Sequence, residues 1–218
     1  MSVAVKTLTD AQVVRWDAYV QDAPDATFFH RAGWRTVIER AFGHRTHFLF
    51  AEKDGEIVGV LPLAHVSSLL FGNSLSSLPF CVYGGLVAST AEAAAALRSS
   101  ACALAEELQV DALELRNRTG SQSGWPVKEL YYTFRKEIDP SDDVNLKAIP
   151  NRQRAMVRKG IKEGLQSEWY AGTARFYRVY AESVRNLGTP VFALKYLRIL
   201  RETFQDDCSV LMISHQGR

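Results

Sequence analysis

The clearest pattern of hydrophobic and polar positions is a pair of apolar stretches on either side of Asp54-Gly55. Within His47 to Leu63, aromatic and aliphatic residues dominate both sides of that dipeptide, which is the composition of paired strands. Asp-Gly between such stretches is typical of a type I′ turn, because both central residues of that turn need positive φ. The pattern predicts a β-hairpin in which Lys53 lies opposite Glu56, a favourable cross-strand charge pair.

Helical and strand-like periods alternate along the rest of the chain. Helices are predicted at about Asp10 to Ala23, Arg31 to Phe42, Ser89 to Leu108, Ala174 to Asn186 and Ala193 to Phe204, and a basic helix that follows Asp143 is predicted to end at about Gly164. Further strands are predicted at Val3 to Val5, within Ser67 to Leu86, at Val110 to Asn117, at Leu130 to Ile138 and at Cys208 to Ser214. Pro62 has no N–H to donate to a ladder, so the return strand of the hairpin is expected to meet an edge or a bulge there. Alternating helices and strands with hairpins predict an α/β fold with a mixed sheet flanked by helices.

A polar segment, Asp139 to Asp143, divides the chain into predicted domains 1–140 and 141–218. The strand Cys208 to Ser214, followed by a turn at Gln216-Gly217, resembles the beginning of a second hairpin. We therefore expect one complete unit and a second, C-terminally truncated unit of the same kind. A strand left at a sheet edge without its hairpin partner favours self-association, so we expect this form to be poorly soluble or self-associating and to have little activity.

Composition and charge narrow the class of protein. The 218 residues are 47% hydrophobic and 23% charged, values of an ordinary soluble globular protein. A net charge of +2 is too small for the whole molecule to act as a nucleic-acid binder. Three widely spaced cysteines favour buried thiols in a reducing compartment over a disulfide framework or a zinc site. The sequence contains no apolar run of the ~18 residues that span a bilayer, and the cytoplasm is the expected location.

The segment Asn151 to Lys162, NRQRAMVRKGIK, combines cations with apolar residues and has no carboxylate. On a helical wheel its cations occupy about half of the circumference and its apolar residues the other half, which predicts one packed face and one cationic face. The cations are Arg152, Arg154, Arg158, Lys159 and Lys162, and the apolar residues are Met156, Val157 and Ile161. The cationic face is either a solvated surface or a site for a polyanion: an RNA backbone, a nucleotide diphosphate or an anionic membrane.

Other candidate residues carry weaker signals. Tyr83-Gly84-Gly85 is either a tight turn or a place where backbone approaches a ligand closely. Glu114 and Arg116 share one strand face, where pairing with each other is favoured over roles as an acid and an anion-holder. His44, His47 and His65 converge near one end of the hairpin, but no carboxylate or cysteine at matching spacing accompanies them, so a metal site is disfavoured.

Several segments, in this order, resemble the FemAB-like branch of the acyltransferases built on the GNAT fold, and in particular the FemAB-related group associated with the exosortase and PEP-CTERM surface-protein system. They are TFFHRAGWRTVIERAFGH (Thr27 to His44), AEKDGEIVGVLPL (Ala51 to Leu63), LPFCVYGGL (Leu78 to Leu86), LELRN (Leu113 to Asn117), PNRQRAMVRKGIKEGL (Pro150 to Leu165) and SVRNLGTPVFALKYLRIL (Ser183 to Leu200). The resemblance covers nearly the whole chain and depends on the order of the segments more than on any one of them.

The resemblance implies two GNAT-like units facing a shared cleft, the second of them incomplete here, and an enzyme that needs no metal and no coenzyme A. Well-understood members transfer an amino acid from aminoacyl-tRNA to the amine of a cell-wall peptide precursor. Arg185 and Gly188 match the family's Arg-x-x-Gly, and the cations near Arg152 match the basic helix that opens the second unit. The candidate substrate-binding residues are therefore Tyr83, Arg116, Arg152, Arg154, Arg158, Lys159, Arg185 and Gly188. The family has no strong catalytic motif at these positions, so the resemblance identifies no catalytic base.

The resulting hypothesis is an acyl- or aminoacyl-transferase acting on an amine or hydroxyl of a cell-envelope precursor or an exopolysaccharide-related acceptor. The co-substrate would be an aminoacyl-tRNA or another acyl donor, and tRNA and an anionic membrane surface are the possible macromolecular partners. Acetyl-CoA is the less favoured donor, because the R/QxxGxG/A loop that holds its pyrophosphate in common acetyltransferases is missing. The alternatives are a coenzyme A-dependent N-acyltransferase of the same fold and a non-catalytic binding protein for an anionic polymer.

Overall fold

The structure, a computed structural model, describes residues 2–68, 72–118, 124–128 and 132–217. The chain divides into two units: unit 1 is Met1–Trp125 with Arg198–Phe204, and unit 2 is Pro126–Leu197 with Gln205–Arg218. The domain boundary predicted after residue 140, and the shared cleft between two GNAT-like units, stay predictions.

Unit 1 is a mixed sheet with helices on both faces. Its elements are β1 (Ala4–Thr7), α1 (Val13–Asp22), α2 (Gly33–Phe42), β2 (Arg45–Lys53), β3 (Glu56–Ser68), β4 (Gly72–Ser77), β5 (Val87–Ala88), α3 (Ala91–Glu107) and β6 (Ala112–Glu114). The strand order is β1-β2-β3-β4-β6, with β5 paired to β3. Only the β4–β6 pair is parallel among the pairings described. The predicted mixed α/β fold is confirmed.

The hairpin predicted at Asp54-Gly55 forms as expected. Asp54 and Gly55 have φ values of 53° and 86°, and Lys53 lies opposite Glu56. Pro62 lies where β3 has finished pairing with β5 at Gly59 and Val60 and has not yet begun pairing with β4 at Leu63. The proline without a donor therefore lies at a short edge on that side of β3, as predicted, whereas the register shift in the hairpin is further along, between Ala51 and Glu52.

Local signals also place the helix ends of unit 1. The Thr90 side chain accepts a hydrogen bond from the Ala93 N–H and begins α3. Gly43, with φ of 75° in the left-handed region, ends α2.

On one face of the sheet Trp16 of α1 stacks on Phe48, with ring centroids 5.5 Å apart. On the other face α3 packs against buried aliphatic side chains of β2, β3 and β4.

Unit 2 has less regular structure and a smaller sheet. Its elements are α4 (Asp142–Ala148), α5 (Asn151–Lys162), β7 (Gln166–Trp169), α6 (Ala174–Asn186), the first residues of α7 (Leu194–Phe204) and β8 (Leu211–Ser214). Strands β7 and β8 pair antiparallel, with Trp169 opposite Leu211. Helices α5 and α6 occur where the sequence predicts them.

Two expectations for unit 2 are wrong. The strand predicted at Leu130 to Ile138 is absent from residues 132–138, where Tyr132 and Phe134 are exposed; residues 130 and 131 lie outside the described part. Strand propensity is realised only against a partner strand, and these residues pair with none in the described ranges. The strand predicted at the end of the chain forms as β8 and pairs with β7, a pairing that the sequence did not predict. The missing hairpin partner of β8, and the self-association expected from its loss, stay predictions. The second correction concerns α5, whose apolar side chains are exposed where a packed face was predicted.

Candidate functional site

The predicted site residues are distributed over both units, so each group is described within its own unit. Tyr83 and Arg116 belong to unit 1, and the cations of α5, Arg185 and Gly188 belong to unit 2.

The segment Tyr83-Gly84-Gly85 lies in close backbone contact with Asn117. A Cβ at Gly85 would lie 2.7 Å from both the N and the Cα of Asn117. The Gly85 N–H donates to the Arg116 carbonyl (3.0 Å), and the Leu86 N–H donates to Asn117 Oδ1 (3.0 Å). Of the two explanations left open by the sequence, a tight approach of backbone to backbone therefore accounts for Gly85 without a ligand.

His30 holds the same segment from the other side. Its Nε2 lies 3.1 Å from the Gly85 carbonyl, while its Nδ1 accepts from the Thr27 N–H (3.0 Å). These partners assign the proton to Nε2 and keep the ring neutral. Burial is the main cause that lowers the pKa of His30 below its usual value. Sequence reasoning did not single out His30. The signal in the sequence was Thr27, a residue type that caps helices, three positions before it; Thr27 caps the short helical turn Phe28–His30.

Arg116 makes several interactions with its own unit. Its Nε donates to Glu114 Oε1 (2.7 Å), as predicted for that strand face, and a terminal nitrogen donates to the Cys81 carbonyl (2.7 Å). The thiol of Cys81 is buried, and this burial raises its pKa to about 12. Arg116 thus orders the loop that contains Cys81, which is a structural role. The predicted substrate-binding role of Arg116 stays a prediction.

The three histidines that the sequence singled out lie at the same end of the hairpin, where Arg45 of β2 is opposite His65 of β3. His65 Nε2 contacts Asn73 Oδ1 (2.6 Å), and His47 Nε2 is buried without a hydrogen-bond partner in the described ranges. Burial is the main cause that lowers the pKa values of His44 and His47, and the nearby charge of Arg45 lowers the pKa of His47 further. Across the described residues, no group of three or more histidine, cysteine or acidic side chains is arranged to hold a metal ion.

In unit 2, Arg154 differs from the other cations of α5. Its guanidinium donates to the carbonyls of Lys147 (2.8 Å) and Ile149 (2.9 Å), at the end of α4. A cation at these carbonyls satisfies groups that the helix leaves without partners and complements its dipole. Arg154 thus joins α4 to α5, whereas Arg152, Arg158 and Lys159 are exposed.

Arg185 and Gly188 form the end of α6. The Gly188 N–H donates to the Arg185 carbonyl (2.9 Å), and the Thr189 N–H donates to the Val184 carbonyl (3.2 Å). These two bonds make a Schellman motif, with Gly188 at the left-handed position (φ 72°) and Pro190 following soon after. The predicted Arg-x-x-Gly is therefore a helix stop that turns the chain back towards the last turns of α6.

A cavity of about 840 Å³ lies between this turn and one face of α6. Its lining includes both Arg185 and Gly188, and adds three polar residues of α6 that sequence reasoning missed: Tyr177, Arg178 and Glu182. The available signal was their spacing, since positions 178, 182 and 185 share one helix face. Among the described ion pairs none involves these three charged side chains, so two guanidinium groups and one carboxylate line the cavity without pairing to each other.

With both units described, the chain can be compared with known proteins. No protein-family model matches it, and no curated protein sequence matches it. Among solved structures, the crystal structure of FemX matches 96% of this chain, with a TM-score of 0.65 and 19% identity. The chain has the FemAB-like GNAT fold. It spans 57% of the length of FemX.

Smaller acetyltransferases match this chain more weakly than FemX does. A GNAT family acetyltransferase of Staphylococcus aureus subsp. aureus USA300_TCH1516 matches 62% of this chain and 100% of its own, at 12% identity and a TM-score of 0.43. A ribosomal-protein-alanine N-acetyltransferase of Brucella melitensis biovar Abortus 2308 gives the same coverage and TM-score at 16% identity. These similarities are too distant to add to the FemX match.

In the described residues, no helix is both long enough and apolar enough to cross a membrane.

Proposed function

We propose that this chain belongs to an acyl- or aminoacyl-transferase whose substrate contacts the cavity beside α6. The observation that carries the proposal is that Arg185 and Gly188, selected from the Arg-x-x-Gly resemblance, line a cavity in a chain with the FemAB-like fold. The fold alone is compatible with many chemistries. The three charged side chains in the lining of the cavity, Arg178, Glu182 and Arg185, are what connect this fold to a charged substrate.

The cavity offers complementary groups to a substrate that carries both signs of charge. Arg178 and Arg185 lie seven positions apart on α6, about 10 Å along the helix axis. Either guanidinium can hold a carboxylate or a phosphate through charge-assisted hydrogen bonds. Glu182 lies between them and can accept from an ammonium group. An amino-acid or peptide acceptor with an amine and a carboxylate meets both requirements.

In the reaction we propose, the acceptor amine or hydroxyl attacks the carbonyl carbon of an activated acyl ester. A tetrahedral intermediate forms, the bond to the alcohol of the donor breaks, and the proton of the nucleophile passes to the departing alcohol by way of solvent. The ester is already reactive, so positioning and stabilisation of the oxyanion supply most of the rate. No metal and no coenzyme A take part in this scheme.

The donor and the acceptor are proposed from the family resemblance. We favour an aminoacyl-tRNA or another acyl donor over acetyl-CoA, and an acceptor from a cell-envelope precursor or an exopolysaccharide, in the cytoplasm and in connection with an exosortase/PEP-CTERM system. The substrate-binding roles of Tyr83 and of the exposed cations of α5 stay predictions.

The test is transfer of a radiolabelled acyl group by the full chain to cell-envelope precursors, with aminoacyl-tRNA or acetyl-CoA as the donor. Arg178→Gln and Arg185→Gln should each reduce kcat/KM by roughly 10- to 100-fold, the usual effect of losing a hydrogen bond to a charged group. Arg198→Gln is the matched control, because Arg198 is exposed and outside the cavity.

Two results would contradict the proposal. One is transfer that proceeds equally well in both cavity variants. The other is saturable binding of acetyl-CoA with a Kd near 10 μM, about −7 kcal/mol, which would favour a coenzyme A-dependent N-acyltransferase.

A further inference from the structure

Helix α5 presents apolar and cationic side chains to the surroundings at the same time. Met156 is 66% exposed, Ile161 is 68% exposed and Val157 is 41% exposed. Four cations of the same helix are also exposed: Arg152, Arg158, Lys159 and Lys162. An amphipathic helix in a globular protein normally buries its apolar face, and α5 does not.

The apolar side chains of α5 form one continuous strip. Met156, Val157, Gly160 and Ile161 occupy adjacent positions on one side of the helix. Gly160 would leave a gap in the strip, but Leu165 fills it: a Cβ at Gly160 would lie 2.8 Å from Leu165 Cδ1. Leu165 is itself 47% exposed. The strip thus covers the second half of α5, about 8 Å along the helix axis from residue 156 to residue 161, and continues onto Leu165.

The cations occupy the other side of α5 and have no acidic neighbour within the helix. Arg154 is bound to the carbonyls at the end of α4, so it fixes the start of α5. The other four cations are absent from the described ion pairs. The charge of this face is therefore complementary to an anionic surface.

We propose that α5 is a peripheral docking helix that lies in the headgroup region of an anionic lipid bilayer. An interfacial helix places its apolar strip at the boundary with the acyl chains, while its lysines and arginines contact anionic headgroups. RNA is the weaker occupant, because a phosphate backbone would engage the cations and leave Met156 and Ile161 in water. Docking of this kind would bring the enzyme to acceptors that are attached to a membrane, and it does not depend on the proposed chemistry.

The experiment is co-sedimentation of the full chain with vesicles of phosphatidylcholine alone or with 30% phosphatidylserine. The charge variant is Arg158→Gln with Lys159→Gln and Lys162→Gln, and the apolar variant is Met156→Ser with Ile161→Ser. A matched control removes three exposed cations elsewhere in unit 2, through Lys128→Gln, Lys136→Gln and Lys195→Gln. Circular dichroism of every variant confirms that its helices are intact.

The chain should bind the phosphatidylserine vesicles, and binding should weaken as salt is added. Each headgroup-facing cation contributes about fivefold to affinity, so the charge variant should bind roughly 100-fold more weakly. The apolar variant should also lose binding, while the control should bind much more tightly than the charge variant. Three results would each overturn the proposal: no binding by the wild-type chain, equal losses in the charge variant and the control, or full binding by the apolar variant. If the apolar variant binds fully and the chain also binds tRNA, the cationic face of α5 is a site for RNA.

Discussion

Replacing Gly85 by alanine tests whether the turn after Tyr83 is a close backbone contact. The added Cβ would meet Asn117 Oδ1 at 2.2 Å and the Asn117 N and Cα at 2.7 Å. The side-chain oxygen can rotate away, but the backbone atoms cannot, because the preceding strand β6 pairs with β4. We therefore expect the segment around Gly85 to shift away from Asn117.

The size of the effect follows from the hydrogen bonds that depend on this approach. A shift weakens the bond from the Gly85 N–H to Arg116, the bond from the Leu86 N–H to Asn117, and the contact of His30 with the Gly85 carbonyl. At about 1 kcal/mol net for each, the free energy of unfolding should fall by roughly 3 kcal/mol. For a chain of this size that corresponds to a decrease in Tm of roughly 6–12 °C.

The assay is urea unfolding followed by tryptophan fluorescence, since Trp16 and Trp34 are buried in unit 1. Gly43→Ala is the matched control: Gly43 has φ of 75° and no atom within 4 Å of an added Cβ. That substitution should cost only the left-handed backbone penalty of about 1–2 kcal/mol. If Gly85→Ala destabilises unit 1 no more than Gly43→Ala does, the proposed steric contact is wrong.

Three further predictions concern other residues. Burial lowers the pKa of His30 from 6.5, so the unfolded chain takes up a proton at a higher pH than the folded chain does. The free energy of unfolding should therefore fall as the pH drops below about 6.5, by up to 1.4 kcal/mol per pH unit. A pH series of urea titrations should show that His30→Gln flattens this fall. Arg154→Gln removes the bonds to the end of α4 and should lower helical content or Tm, whereas Arg158→Gln should leave both unchanged, as measured by circular dichroism; equal effects would contradict the assigned role. Burial raises the pKa of Cys81 to about 12, so its thiol should react with iodoacetamide at pH 8 far more slowly than that of Cys102, which mass spectrometry of the labelled peptides would show.

The sequence alone determined the features that depend on a few neighbouring residues. Asp54-Gly55 specifies its hairpin because two adjacent positive φ values are accessible to few dipeptides. Thr90 begins α3 and Gly188 ends α6 for similar reasons, since a cap acts on backbone groups within one turn. The Arg-x-x-Gly resemblance also directed attention to the cavity in unit 2, although Arg178 and Glu182 were not recognised.

Only the tertiary structure decided what each element packs against. The pattern of residues 130–138 is that of a strand, but a strand requires a partner to accept its hydrogen bonds, and residues 132–138 have none in the described ranges. The strand β8 does pair, but its partner β7 lies more than 40 residues earlier in the chain, so the local sequence around β8 did not indicate that partner. Periodicity likewise predicted an apolar face on α5 but not whether that face is covered. Burial is a property of the assembled surfaces, and a sequence read one segment at a time does not contain it.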